Sequence, residues 1–139
     1  MTERLKKLYQ EVIVRRSREP YHYRKDAPGE VVEAYNPLCG DQYQLYVEEE
    51  NQQLEGLHFY GHGCAISKAS SSVLVESLEG LSREEAKEKV ALFLKLLQSD
   101  EELEGLPESF EAFIAARQFP ARLKCASLSW EAMRDYLEE

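Results

Sequence analysis

A chain of 139 residues, 43% hydrophobic and 31% charged, has the composition of a globular protein, and at that length one core buries roughly two-thirds of the unfolded surface without disulfide staples. Acidic residues outnumber basic ones 26 to 17, giving a net charge of -9, the wrong sign for holding nucleic acid by phosphate neutralisation, so nucleic acid is excluded as an expected partner. The opening MTERLKKLYQEV lacks the apolar run of a signal peptide, and no stretch reaches the ~20 apolar residues of a membrane span, so no membrane partner is expected and the expected address is cytoplasmic.

Leu5, Leu8 and Val12 recur at helical spacing among charged residues, which predicts a one-sided helix from Glu3 to about Ser17. Two prolines and a closing glycine between Glu19 and Gly29 predict a connection. Residues Val31 to Tyr35, Gln42 to Glu49 and Gln53 to Tyr60 are rich in Val, Tyr, Leu and Phe and partly alternate, as half-buried strands do. Asn36-Pro37-Leu38-Cys39-Gly40-Asp41 interrupts the first two, which places Cys39 and Asp41 on a loop, and Glu50-Asn51-Gln52 closes a hairpin between the second and third. Gly61-His62-Gly63 is expected to end the sheet, and Cys64 opens a helix of small residues that runs to Gly80.

Ser82 followed by Glu85 reads as a capping box ahead of a helix containing VALFLKLL, and a short helix is expected after Pro107. The last helix runs from about Pro120 to Leu137, where Leu123, Ala126, Trp130, Met133 and Leu137 form one buried stripe in steps of three and four. Cys125 falls roughly a third of a turn from the centre of that stripe, at ~100° per residue, and so off the expected core face. Together these elements predict an α+β fold: a small three-stranded antiparallel sheet with helices packed on it, an N-terminal helix and a C-terminal helical region, in a single domain over residues 1–139.

The three cysteines are odd in number and widely spaced, which suits reduced thiols or thiolate ligands better than a disulfide framework. A tetrahedral zinc site takes four ligands from Cys, His, Asp or Glu. Three cysteines leave one position, for which Asp41, across a flexible glycine from Cys39, competes with His62 beside Cys64. The same residues also fit a plain structural role, since isolated cysteines are often small buried hydrophobes and Asp in Cys-Gly-Asp is often a turn residue. His58 and His62 are explained more readily by a strand and a turn than by ligation. Cys64 stands at a helix N-terminus, where partial positive charge favours thiolate over thiol. Arg122, one turn before Cys125, is placed either to offset clustered thiolate charge or to sit in solvent.

Four segments, Asn36-Pro37-Leu38-Cys39-Gly40-Asp41, Gly61-His62-Gly63-Cys64-Ala65-Ile66-Ser67, Ala69-Ser70-Ser71-Ser72 and Arg122-Leu123-Lys124-Cys125-Ala126, together resemble the SufU/IscU family of iron–sulfur cluster assembly proteins, akin to the NifU N-terminal domain. The likeness spans nearly the whole chain. Lys124 stands where IscU-type members usually carry histidine, and the segment from Leu81 to Phe119 resembles the SufU insertion, which favours the SufU branch.

The resemblance implies a zinc site made by Cys39, Asp41, Cys64 and Cys125, and Arg122 and Lys124 are candidates to support it. It also implies a sulfurtransferase-type carrier that activates a cysteine desulfurase of the SufS type. Cys39 is then the acceptor of persulfide sulfur, ordered by the metal until docking frees it to attack. The alternative is a scaffold in which Cys39, Cys64 and Cys125 hold a transient [2Fe–2S] cluster for downstream scaffold or acceptor proteins. A structural zinc module that recruits partners ranks third.

Overall fold

The computed structural model describes residues 2–38, 40–100 and 103–139. The N-terminal helical segment runs through α1 (Glu3–Leu8), a wider π-helical stretch over Tyr9–Val14 and α2 (Arg15–Arg18). The Thr2 hydroxyl caps it by accepting the Leu5 N–H at 3.1 Å. Leu8, Val12 and Ile13 are buried while Leu5 is only half-buried, a shift from the expected stripe. The π turn accounts for it, because each residue there rotates by less than the ~100° of an α-helix and Ile13 stays on the core face beside Val12.

Among the described residues, β1 (Glu30–Asn36), β2 (Asp41–Glu50) and β3 (Gln53–His62) form one antiparallel sheet in that order. Pairing runs beyond the alternating side chains at two ends. Asp41 is the first residue of β2, paired with Asn36, rather than a loop residue, and Gly61 and His62 extend β3 rather than ending the sheet. Backbone ladders continue through residues whose side chains carry no alternation signal. Asn51 and Gln52, at φ of 51° and 63°, form the tight hairpin turn between β2 and β3.

The connection from Glu19 to Gly29 is fixed in place. The Arg24 N–H donates to the Phe59 carbonyl at 2.9 Å and the Phe59 N–H to the His22 carbonyl at 3.1 Å, so this segment covers the outer edge of β3. The His22 ring stacks between Tyr21 and His58, with centroid separations of 3.9 and 4.7 Å, and its Nδ1 lies 2.9 Å from Glu79 Oε2.

The remaining elements are α3 (Ala65–Leu78), α4 (Arg83–Gln98), α5 (Glu108–Glu111), a 3-10 turn over Ala112–Gln118, and α6 (Pro120–Leu137). The capping box of α4 forms in both directions, Ser82 N–H to Glu85 Oε1 at 3.1 Å and Glu85 N–H to Ser82 Oγ at 3.2 Å. On α6, Ala126, Trp130, Met133 and Leu137 are buried and Leu123 is half-buried. Cys125, placed off the core face by its position on the helical wheel, is only 3% exposed. The reason is that α6 packs against α3, α4 and β1 together, so its buried face is broader than a single stripe. No helix among the described residues is long and apolar enough to cross a membrane.

Trp130 joins the helices. Its ring lies flat on Phe93 with centroids 4.0 Å apart, Phe110 meets it edge-on at 5.4 Å, and its Nε1–H donates to Ser70 Oγ at 2.9 Å. Trp130→Ala is expected to remove about 3–5 kcal/mol of stability, measured by urea unfolding, because it opens a cavity and removes the donor to Ser70 Oγ.

His58 supplies a pH test. Burial holds its imidazole below the ordinary 6.5, His22 and Arg24 add to that effect, and Glu79 and Glu48 oppose it. The unfolded chain takes up a proton at His58 near pH 6.5, whereas the folded chain does so only at lower pH. Stability fully present above the unfolded value is therefore lost as pH falls through the lower folded one. Unfolding free energies measured at several pH values are expected to fall less steeply on acidification for His58→Phe than for the parent protein.

Candidate metal centre

Three elements distant in sequence each bring one donor atom to a common point. Asp41 enters from the start of β2, Cys64 from the N-cap of α3 and Cys125 from the second turn of α6. Their ligand atoms all lie within 4.8 Å of one another. Asp41 is 4% exposed and Cys125 3%, while Cys64 is half-buried.

The Asp41 carboxylate is aimed by the helix it faces, because its Oδ1 accepts the Cys64 N–H at 3.2 Å and its Oδ2 lies 3.9 Å from Cys64 Sγ. Cys64 caps α3 with sulfur where a hydroxyl or carboxylate is usual, accepting the Ser67 N–H at 3.5 Å. The helix N-terminus thereby turns its partial positive charge toward the sulfur. Burial pushes the Cys125 thiol far above its usual range, and the neighbouring Cys64 and Asp41 act in the same direction.

This donor set fits a divalent cation. An ion bonded at about 2.3 Å to sulfur and at about 2.0–2.2 Å to carboxylate oxygen in a tetrahedron spans donor atoms a little under about 4 Å apart. Small side-chain rotations from the observed separations would reach that. A buried thiol and carboxylate so close together lack a compensating charge inside the cluster, and a bound cation would provide one.

The other sequence candidates divide. Arg122 is exposed and faces both sulfurs; the Cys64 sulfur first, and hydrogen bonding to Cys125 second, hold its guanidinium above its usual range. Lys124 is drawn to Glu131, with its Nζ 3.5 Å from Oε2. His62 is exposed and outside the donor group. Cys39, the expected sulfur acceptor and fourth ligand, lies outside the described residues; beside it, Gly40 takes the left-handed conformation at φ 75°.

The NifU-like N terminal domain family matches residues 8–134. The chain belongs to that family. This NifU-like domain is 34% identical over 137 residues to the iron-sulfur cluster assembly scaffold protein IscU of Streptococcus pyogenes, covering 97% of this chain and 86% of that one. It is 33% identical over 127 residues to the zinc-dependent sulfurtransferase SufU of Bacillus subtilis, with 91% and 86% covered. Its fold superposes with a TM-score of 0.82 on the crystal structure of FiSufU, assigned to the SUF system of Fervidobacterium islandicum, at 30% identity over 94% of this chain and 97% of that one.

Around the donor group the NifU-like domain holds residues that sequence reading passed over. Tyr43 is fully buried, with its hydroxyl 2.9 Å from Ser67 Oγ, and burial pushes its phenol far above the usual range, which leaves it a hydrogen-bond donor. Gly63 passes between these groups; a Cβ there would lie 2.5 Å from Ser67 Oγ and 2.7 Å from both Asp41 Oδ1 and Tyr43 OH. The period-two pattern could have found Tyr43, because it alternates with Gln42 and Gln44 and shares the buried face with Leu45. Gly63→Ala is expected to weaken metal binding at least about 10-fold by displacing Asp41. Competition against a chromogenic chelator measures this, with circular dichroism confirming the fold.

Proposed function

We propose that this protein, as one domain over residues 1–139, is a zinc-dependent sulfur carrier of the SufU type in iron–sulfur cluster assembly. It would receive persulfide sulfur from a cysteine desulfurase. The observation that carries the reading is the convergence of Asp41, Cys64 and Cys125, two sulfurs and one carboxylate drawn from three elements to one point, with Asp41 and Cys125 buried and Cys64 half-buried. Cys39 is assigned as the fourth ligand and as the sulfur acceptor. Kinship with a zinc-dependent sulfurtransferase and the lysine at 124, where IscU-type members usually carry histidine, support the SufU assignment.

Zinc, when bound, supplies a redox-inert Lewis acid that favours thiolate over thiol at its ligands. The chain's residues then divide the work. Cys125, 3% exposed, is too buried to meet a partner and serves to hold. Asp41, fixed by the Cys64 N–H, presents its other oxygen to the cluster. Arg122, exposed beside both sulfurs, offsets negative charge at the mouth of the site. The Cys39 thiolate attacks the terminal sulfur of the desulfurase persulfide; the S–S bond breaks, the desulfurase cysteine leaves as thiolate, and Cys39 carries the transferred sulfur as a new persulfide.

One finding favours a second reading, since the chain is as similar to an iron-sulfur cluster assembly scaffold protein as to the sulfurtransferase. In that reading Cys39, Cys64 and Cys125 hold a transient [2Fe–2S] cluster, and the oxygen ligand makes it labile enough to donate. One preparation separates them. Protein purified without oxygen is expected to be colourless and to contain zinc, and after incubation with the desulfurase and cysteine, mass spectrometry is expected to find the extra sulfur on the Cys39 peptide. Asp41→Ala is expected to reduce zinc affinity about 10-fold or more. A brown protein with iron, visible absorption and no persulfide at Cys39 would establish the scaffold instead.

A further inference from the structure

We propose that Tyr43 and Ser67 are positioning residues of the metal centre: a buried hydroxyl pair that fixes the Cys64 sulfur and supplies it with a hydrogen bond when it is a thiolate. The proposal rests on the metal-centre reading above and adds to it two residues that bind no metal themselves.

The hydrogen-bond directions follow from counting protons. Ser67 has one hydroxyl hydrogen, and the Cys64 carbonyl stands 3.0 Å from its Oγ as an acceptor. In that arrangement the Tyr43 hydroxyl, 2.9 Å away, is the donor of the pair. Ser67 also reaches the sulfur from two sides: its backbone N–H donates to Cys64 Sγ at 3.5 Å, and its Oγ lies 3.7 Å from the same atom. A hydroxyl hydrogen on the carbonyl can swing to a charged sulfur without moving any heavy atom far. A metal-bound thiolate is a stronger acceptor than a thiol, so metal binding favours that swing.

The pair is not needed for burial alone. Tyr43 is 0% and Ser67 1% exposed, and a Phe–Ala pair would place less polar surface in the core. Buried hydroxyls are unfavourable unless each finds a partner. Here both do, and the partnership joins β2 to the first turn of α3, the two elements that carry Asp41 and Cys64. The short distances that a Cβ at Gly63 would make to Ser67 Oγ, Asp41 Oδ1 and Tyr43 OH show the three oxygens gathered around one point. The hydroxyl pair therefore fixes the sulfur ligand at a point that also adjoins the carboxylate ligand.

The test uses cobalt(II) in the full-length protein, because its thiolate-to-metal charge-transfer band reports on the sulfur directly. A hydrogen bond stabilises the sulfur lone pair, so its removal is expected to move this band to longer wavelength. Ser67→Ala is expected to show that red shift together with an affinity loss on the order of 10-fold. Tyr43→Phe is expected to show a smaller shift in the same direction, and Ser67→Thr, which keeps a hydroxyl, to restore both properties. Urea unfolding of each variant separates loss of fold from loss of positioning.

If the parent protein gives the thiolate band and Ser67→Ala matches it in position and affinity, the positioning role is wrong and the metal centre stands. If Ser67→Ala weakens binding with no shift and Ser67→Thr does not restore it, Ser67 is structural only and the proposal is overturned. If the parent protein itself gives no thiolate band with cobalt, the metal-centre reading fails and the proposal falls with it.

Discussion

The close packing of α3 on α6 governs where the sulfurs meet. Both helices present small residues at their contact, Ser70 and Ser71 on one and Ala126 and Ser129 on the other, all buried, which lets the backbones approach. The contact is keyed by hydroxyls: Ser71 Oγ lies 2.6 Å from Ser129 Oγ, and Ser70 Oγ donates to the Ala126 carbonyl at 2.5 Å while accepting from Trp130. Apolar burial alone would tolerate sliding of one helix along the other. Paired hydroxyls at set positions do not, because a shifted register would leave several of them unsatisfied. Cys64 at the head of α3 and Cys125 on α6 are thereby held in a fixed relation.

That rigidity sets an electrostatic condition. Asp41 and Cys125 are almost completely buried and share one small volume with Cys64, so negative charge there is opposed by desolvation and by mutual repulsion. The fold answers with the N–H groups of Cys64 and Ser67, the N-terminus of α3 and the guanidinium of Arg122 at the mouth. These are partial remedies. A divalent cation held by Asp41, Cys64 and Cys125 would complete them.

Away from the site, the chain secures its periphery by similar side-chain anchoring. The 19–29 connection closes the β3 edge and is pinned by the Tyr21 N–H on Ser72 Oγ at 2.7 Å and by the Tyr23 hydroxyl on the Gly61 carbonyl. The Tyr23 contact reaches the end of β3 just before Gly63 and Cys64, so the loop also steadies the entry to α3. At the other end of the sheet, Arg83 bonds Glu49 at 2.8 Å and the Tyr136 carbonyl at 3.0 Å, tying β2 and α4 to the end of α6.

The sequence by itself determined the α+β elements, the capping box, the bounds of α6 and the small-residue character of α3, because each rests on contacts within a few residues of chain. Its motifs also pointed to Asp41, Cys64 and Cys125 and to the family. Tertiary structure alone decided that these three side chains meet, that Cys125 is buried rather than off the core face, and that Asp41 begins a strand. It alone revealed the roles of Tyr43, Gly63 and Ser67 and the separation of Lys124 and His62 from the donor group. The physical reason is range: helical and strand periodicity report one element's exposure to an assumed single neighbour, whereas α6 meets several neighbours at once, and the donor cluster exists only where β2, α3 and α6 are packed together.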